Sequence, residues 1–541
     1  MKTLKGNTMR KFIISLLLLS APSLLAAPEG GQVAAGQAAI SQAGLTTSIN
    51  QLSDQAIINW QGFDIGVNEL VKFLQPGANS VALNRIVGGD ASQILGQLNA
   101  DGRIFIVNPA GVVFGSTAQV DVGSLLATTL DITDENFLNG DFQFEKVDGA
   151  EASFILNAGS IKVGDNGFAF LVAPSVDNQG LIVAKLGSVG LASGDTLTLD
   201  FRGDGLVTYA VSSEVAGQVS NSGSISGNQV VLGADVGADV LSGVVNNTGI
   251  IEATSLVERD GKVVLSGELV RHAGSIAAQG GSVSIESTRQ SLVTSDATID
   301  VSGGDSGDAG TVAILSDNRS TFNGSIDARV GTNGGDGGFV DVSSAGQVEL
   351  NGIVDASAAS GSTGTLLIDP KNIDVNDTGG VAFTDTVNNE FNNDFAADTI
   401  ISAVSINAQV TDVVLQANTD ITVTDAIDLS ATPNVGITLQ AGRSVLVNAD
   451  ITTDGGSVAV IANDVNAVEL QREAGVATIA LDPGATIDAG AGDISLTIDA
   501  TGHGDVGDLN ISNLDSSGPL PSTPLEASAS AQAFWAAATF R

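Results

Sequence analysis

Apolar residues in this chain alternate with their neighbours over short runs. Ser282-Val-Ser-Ile285, Thr311-Val-Ala-Ile314, Phe339-Val-Asp-Val342 and Thr365-Leu-Leu-Ile368 each set two aliphatics two positions apart. That period sends alternate side chains to opposite faces of a strand and buries one of them. Corners of Gly, Asn and Asp, all turn formers, separate the runs. A phrase recurs with them: a small or polar pair, Gly, then a β-branched residue. It stands at Asn157-Ala-Gly-Ser-Ile161, Asn178-Gln-Gly-Leu-Ile182, Asn221-Ser-Gly-Ser-Ile225, Asn247-Thr-Gly-Ile-Ile251, Ala273-Gly-Ser-Ile276, Phe322-Asn-Gly-Ser-Ile326 and Asn351-Gly-Ile-Val354. Taking Ile225, Ile250, Ile276, Ile299, Ile326 and Val354 as equivalent gives steps of 25, 26, 23, 27 and 28 residues. Repeats of this length predict an all-β fold, a right-handed parallel β-helix built as a single-stranded solenoid. Each coil supplies two or three strands and stacks its inward aliphatics on the next, with length variation in the loops.

The pattern resumes after Gly379 with Val413-Val-Leu-Gln416, Ile421-Thr-Val423, Ile437-Thr-Leu-Gln440, Val445-Leu-Val447 and Val458-Ala-Val-Ile461. Between them, Asn388–Ala397 is polar and reads as a loop or short helix. About twenty coils at ~4.8 Å each predict a rod on the order of 100 Å long.

Upstream of the repeats, Ile104-Phe-Ile-Val-Asn-Pro-Ala-Gly-Val-Val-Phe-Gly115 places a tight turn between two apolar strands. Asn108 at i, Pro109 at i+1 and Gly111 at i+3 suit a type I turn, in which the Asn side chain bonds the backbone two residues on. Before it lie Ala56-Ile-Ile-Asn-Trp-Gln-Gly-Phe-Asp-Ile-Gly66, Val71-Lys-Phe-Leu-Gln-Pro76 and Ser80-Val-Ala-Leu-Asn-Arg-Ile86. Together, from Gly30-Gly-Gln-Val33 to about Phe144, these segments resemble the secretion domain of two-partner-secretion exoproteins of the filamentous haemagglutinin type. Ala110 stands where that family usually has a second Asn, which leaves the turn intact but removes an amide that a partner could read. A second, more variable Asn-Pro motif of the family has no clear copy.

The resemblance implies a chain exported by an outer-membrane β-barrel transporter with periplasmic domains, which reads the N-terminal domain while it is unfolded. The residues carrying it, and so the expected transporter-recognition motif, are Asn59, Trp60, Phe63, Asp64, Gly66, Asn84, Arg85, Asn108, Pro109, Gly111, Phe114 and Gly115. Trp60 has an equally simple reading as an apolar plug in the core of the domain. The expected organisation is a signal peptide over 1–26, a secretion domain over 27–290 comprising an antiparallel cap and the first coils, a β-helical rod over 291–510, and an irregular tail over 511–541 in which Phe534–Arg541 could cover the last coil.

Composition fits export. Lys2, Lys5, Arg10 and Lys11 precede the apolar run Phe12–Leu19 and the small residues Ala26 and Ala27, the layout of a signal peptide. Cleavage after Ala26 is preferred because Pro28 follows Ala27, and Met9 offers an alternative start. The chain has no Cys, although exported proteins commonly use disulfides; threading unfolded through a pore excludes cross-links. With 21 Lys and Arg against 61 Asp and Glu, the formal charge is −40, which repels phosphate and argues against a nucleic-acid partner.

No constellation of residues specifies catalysis. β-Helical polysaccharide enzymes need clustered carboxylates with a base or charge stabiliser, whereas most Asp here sit in Gly-rich corners. His272 and His503, the two histidines, read as surface-loop residues. Asp305, Asp308 and Asp336 lie in Gly-rich segments that invite calcium, yet calcium rolls need tandem copies and ordinary corners fit better. Arg202-Gly-Asp204 matches an integrin tripeptide and equally a turn. No metal or cofactor is expected. The resemblance implies an adhesin at the cell surface or released from it, recognising a host-cell or bacterial receptor. The alternatives are a released ligand or cargo binder, a shortened toxin-delivery stump, a truncated gene product and a polysaccharide-acting enzyme.

Overall fold

The computed structural model describes residues 27–511 and 514–515, apart from 148–152, 201–207, 213–216, 235–242, 254–260, 304–306, 332, 378–398, 470–471 and 503–504. The signal-peptide reading of 1–26, Arg202–Asp204, Asp305, His503, Asn388–Ala397 and the tail beyond 515 therefore lie outside the described residues.

The chain winds into a parallel β-helix of three-sided coils, so that each side forms a ladder of parallel strands. In the first ladder the inward aliphatics stack in one column, Ile161 on Ile182, then Ile225, Ile251, Ile276, Ile299, Ile326 and Val354. The expected equivalence of Ile250 is thus corrected by one residue. Ile250 points outward and is 48% exposed, while Ile251 is fully buried, because a single-residue slip moves a side chain to the other face. In the second ladder fifteen successive parallel pairings run from Gln55–Trp60 to Ile494–Ile498, among the described residues. Those sixteen rungs are fewer than the expected twenty or so coils. Some strands turn a corner without a loop: Lys262–His272 serves the second ladder up to Gly267 and the third from Leu269.

Antiparallel strands close the N-terminal end, as the resemblance implied. Ala38–Ala43 and Thr46–Gln51 form a hairpin whose second strand pairs in parallel with Leu70–Leu74, and Gln32–Ala35 runs antiparallel to Gln55–Trp60. The arrangement replaces an open parallel edge, a template for aggregation, with a short exposed hairpin.

A second core, which alternation alone does not reveal, covers the outer face of the second ladder near this end. Ile57, Leu83, Phe105, Leu126 and Phe170 stack outward in register. Over them lie the helix Asp134–Asn139 and an antiparallel flap of Phe142–Glu145, Thr196–Asp200 and Thr208–Ser212. Phe105 meets Phe137, Phe142 and Phe144 at ring separations of 6.3, 5.6 and 6.1 Å. Burial on both faces explains the unbroken apolar runs Ile104–Val107 and Phe168–Val172, which read as continuous and not alternating. The outward column stops where Phe170 pairs with Gly190, which has no side chain to continue it.

Candidate functional site

The turn at Asn108 ends the strand Arg103–Val107 and is held by that one side chain. Its Oδ1 accepts the Ala110 N–H at 3.0 Å, and its Nδ2 donates to Asp90 O and Ser92 Oγ, both at 3.0 Å. The Gly111 N–H closes the turn on Asn108 O at 2.9 Å. Asn108 is fully buried, whereas Pro109 and Ala110 are half-buried. Gly111 sits at φ 114°, where a Cβ would stand 2.7 Å from Phe154 O, so another residue there is strained twice over. The following strand, Val112–Phe114, enters the third ladder between Ser92–Ile94 and Phe154–Asn157. Phe114 is buried, and the Gly115 N–H donates to Ile94 O at 2.9 Å.

Trp60, Phe63 and Asn84 form a second group. The indole N–H of Trp60 donates to Asn84 Oδ1 at 3.0 Å, and the Asn84 amide reaches Ala82 O and Phe105 O, each at 3.3 Å. Phe63 meets Trp60 edge-on at 5.4 Å. All three are essentially unexposed, as the core-plug reading of Trp60 requires. A Cβ on Gly31 would come within 2.4 Å of the indole ring, which accounts for a glycine there. Asn59 is half-buried, and its Oδ1 has no hydrogen-bond partner among the described residues. Asp64 accepts the Gln93 N–H at 2.7 Å, and Gly66 donates its N–H to Glu69 Oε2 at 2.7 Å. Burial pushes the Asp64 carboxyl up against the opposing Gln93 hydrogen bond, helped by Asp90, Glu29 and Glu69. Strand Ser92–Ile94 thus joins the two groups: Ser92 meets Asn108 and Gln93 meets Asp64.

Arg85 stands apart from both groups. It points outward from the second ladder and binds Asp131 at 2.9 Å, Asp134 at 2.6 Å and Ile132 O. It thereby ties the first coils to the helix that Thr133 caps. Burial opposes its charge, but the two carboxylates outweigh that and hold its pKa above the usual value. The partners Asp131 and Asp134 escaped sequence reasoning, although Thr133-Asp-Glu carries the N-cap signal of a short helix. Beside the flap a cleft of about 440 Å³ opens between Asp54, Asn79, Arg103, Asp141, Gln143 and Thr198.

The third ladder holds a polar column in its interior. Asn157 Nδ2 donates to Asn178 Oδ1 at 2.7 Å, Asn178 to Asn221 at 2.8 Å, Asn221 to Asn247 at 2.8 Å, and Asn247 meets His272 Nδ1 at 3.0 Å. The surface-loop reading of His272 is therefore wrong. It lies in Lys262–His272, fully buried, at the end of the amide column. The offset of four residues from each Asn to its inward Ile, kept from Asn157–Ile161 to Asn247–Ile251, was the available signal; His272 keeps it with Ile276. Asp308 and Asp336 cap the coil that follows, taking the N–H groups of Asp336 at 2.8 Å and Ser362 at 2.7 Å. No cluster of three His, Asp or Glu with metal-ligating geometry occurs among the described residues.

Comparison with known proteins agrees with this geometry. Residues 25–285 match the family model of the TPS secretion domain. A heme/hemopexin-binding protein of Haemophilus influenzae strain Rd is 35% identical over 272 residues, 48% of this chain and 30% of the relative. Another H. influenzae heme/hemopexin-binding protein is 32% identical over 244 residues, 41% of this chain and 26% of its own. The chain thus spans less than a third of these relatives. The crystal structure of the HMW1 secretion domain from H. influenzae superposes with a TM-score of 0.55 at 25% identity, covering 63% of this chain and 95% of that one.

Proposed function

We propose that this chain, whose residues 25–285 match the TPS secretion domain, is a two-partner-secretion exoprotein whose motif an outer-membrane β-barrel transporter reads in the unfolded state before passing the chain to the cell exterior. The observation that carries this reading is burial. Asn108, Trp60, Phe63, Asn84 and Phe114 are all closed off in the folded domain, and the Asn108 amide is fully engaged within it. A partner that needs those side chains meets them before folding. Once outside, each coil buries aliphatics and pairs its backbone on the coil before it, so folding itself draws the chain outward. The rod beyond is a non-catalytic binding element, extracellular or held at the outer surface, and acts as an adhesin.

A second reading, a released carrier-protein binder, draws on the likeness to the heme/hemopexin-binding proteins. Direct haem ligation through His272 is closed off, since its ring is buried and both nitrogens face partners at 3.0 and 3.4 Å.

The test is secretion with and without the transporter for the wild type, Asn108→Ala and Asn178→Ala. Asn178 is an equally buried amide outside the motif. Transporter-dependent export that Asn108→Ala abolishes and Asn178→Ala retains supports recognition. Equal loss in both variants means that folding energy and not the motif governs export, and overturns the reading. Hemopexin and host-cell binding by the secreted rod then separates carrier binder from adhesin.

A further inference from the structure

Among the described residues, chain order breaks at one place along the rod. In the third ladder the strand Thr399–Ile401 pairs in parallel with Ile373–Val375, which pairs on its other side with Ile421–Val423. The later strand thus lies on the N-terminal side of the earlier one, next to Gln347–Leu350, whose Val348 N–H donates to Thr399 Oγ1 at 3.1 Å. In the first ladder no strand among the described residues follows Ile353–Asp355 directly. The helix Ala403–Asn407 fills that place, and amide side chains at its end substitute for strand hydrogen bonds. Gln409, 2% exposed, accepts the Val354 N–H at 2.8 Å and donates to Gly352 O at 3.0 Å. Asn407 accepts the Asp428 N–H at 2.8 Å from the opposite side. The second ladder alone runs on in sequence, through Phe339–Ser344, Thr365–Ile368 and Asp412–Ala417.

We infer that residues 399–411 are a folding checkpoint that divides the rod into two cooperative blocks. Upstream, a coil is completed by the chain that follows at once: Ser325 pairs with Ile353, 28 positions on. In the third and first ladders the coil ending at Asp355 instead draws its partners, Thr399 and Gln409, from 51 and 55 positions away. Until they arrive, the N–H groups of Val348 and Val354 have no acceptor, and these buried valines form an open end. Buried N–H groups left without acceptors at such an end are costly, so the end closes only when the inserted segment docks. Ile373–Val375 waits with it, because both of its strand neighbours come later in the chain. During export this coil stays open until residue 411 has emerged; that consequence rests on the reading above, whereas the two-block folding does not.

The test is refolding of the full chain from urea with pulsed hydrogen exchange read by mass spectrometry, which needs no transporter. Peptides covering 219–322 are expected to gain protection first, and those covering 347–355, 399–411 and 412–417 together in a later phase. In native Gln409→Ala, exchange in 347–355 is expected to rise at least tenfold with 219–322 unchanged. Protection of 347–355 in step with 311–322, ahead of 399–411, overturns the inference, as does one phase shared by all peptides. Failure of transporter-dependent secretion with this refolding order intact strikes only the export reading.

Discussion

Replacing His272 by Asn isolates one proton's effect on stability. In the folded chain His272 Nδ1 faces the Asn247 amide at 3.0 Å and Nε2 faces Thr298 O at 3.4 Å. Asn247 Oδ1 already accepts from Asn221, so the Asn247 NH2 must donate, Nδ1 must be bare, and the proton sits on Nε2. A proton added to Nδ1 would set two donors against each other. Burial first, and the neighbouring Arg271 charge, bring the pKa from 6.5 to about 4 despite the two hydrogen bonds. Since the unfolded chain takes up this proton near pH 6.5, it binds more protons than the folded one between 6.5 and 4. Stability from this group is complete above pH 6.5 and is lost as pH falls through that window. At 1.36 kcal/mol per unit the full loss is about 3 kcal/mol, and by pH 5 about 2 kcal/mol. His272→Asn keeps an acceptor for Asn247 and a donor for Thr298 O but has nothing to titrate. Urea unfolding followed by circular dichroism from pH 7.5 to 4.5 reads the difference, because all other groups cancel between the two proteins. With a slope of about 3 kcal/mol/M, the wild-type midpoint should fall relative to the variant by roughly 0.7 M at pH 5. A difference that stays flat across this range refutes the argument that His272 is held neutral.

Two further outcomes follow from the N-terminal domain. Asn84→Ala leaves the buried indole N–H of Trp60 without its acceptor and should cost about 1–3 kcal/mol, seen as a lower urea midpoint by tryptophan fluorescence; an unchanged midpoint contradicts the bond's role. Arg85→Ala should cost about 1–2 kcal/mol, discounted because Asp131 and Asp134 are 36% and 49% exposed. Its signature is faster proteolysis within 131–145 ahead of global unfolding, and uniform cleavage along the chain would show that Arg85 does not tether the flap.

The solenoid was legible because its repeat writes period-two alternation directly into Val283/Ile285 and Val340/Val342, where one face meets water. It was illegible where the outer face is also covered, since Phe105 and Phe170 look like any inward residue until the flap is seen. The one-residue error at Ile250 arose from two adjacent isoleucines, and only the offset from Asn247 decides between them. Asn108 and Pro109 announced a turn by local chemistry. That the Asn108 amide faces Asp90 and Ser92 depends on a neighbouring coil, which no local rule contains. The reversed strand order at Thr399–Ile401 is likewise invisible to periodicity, which records spacing and not which coil a strand joins.

The amide column in the third ladder has an arrow: every Asn gives its proton forward, and His272 receives the last one. A further coil bearing Asn at the same offset could be spliced in anywhere between Asn157 and Asn247 with every donor still meeting an acceptor. The terminal coil is not interchangeable in this way, because there the receiver must also face a backbone carbonyl. Whole-coil duplication or loss is therefore a tolerated edit inside the column and a damaging one at its end, so the rod's length can drift by coils while its register is kept.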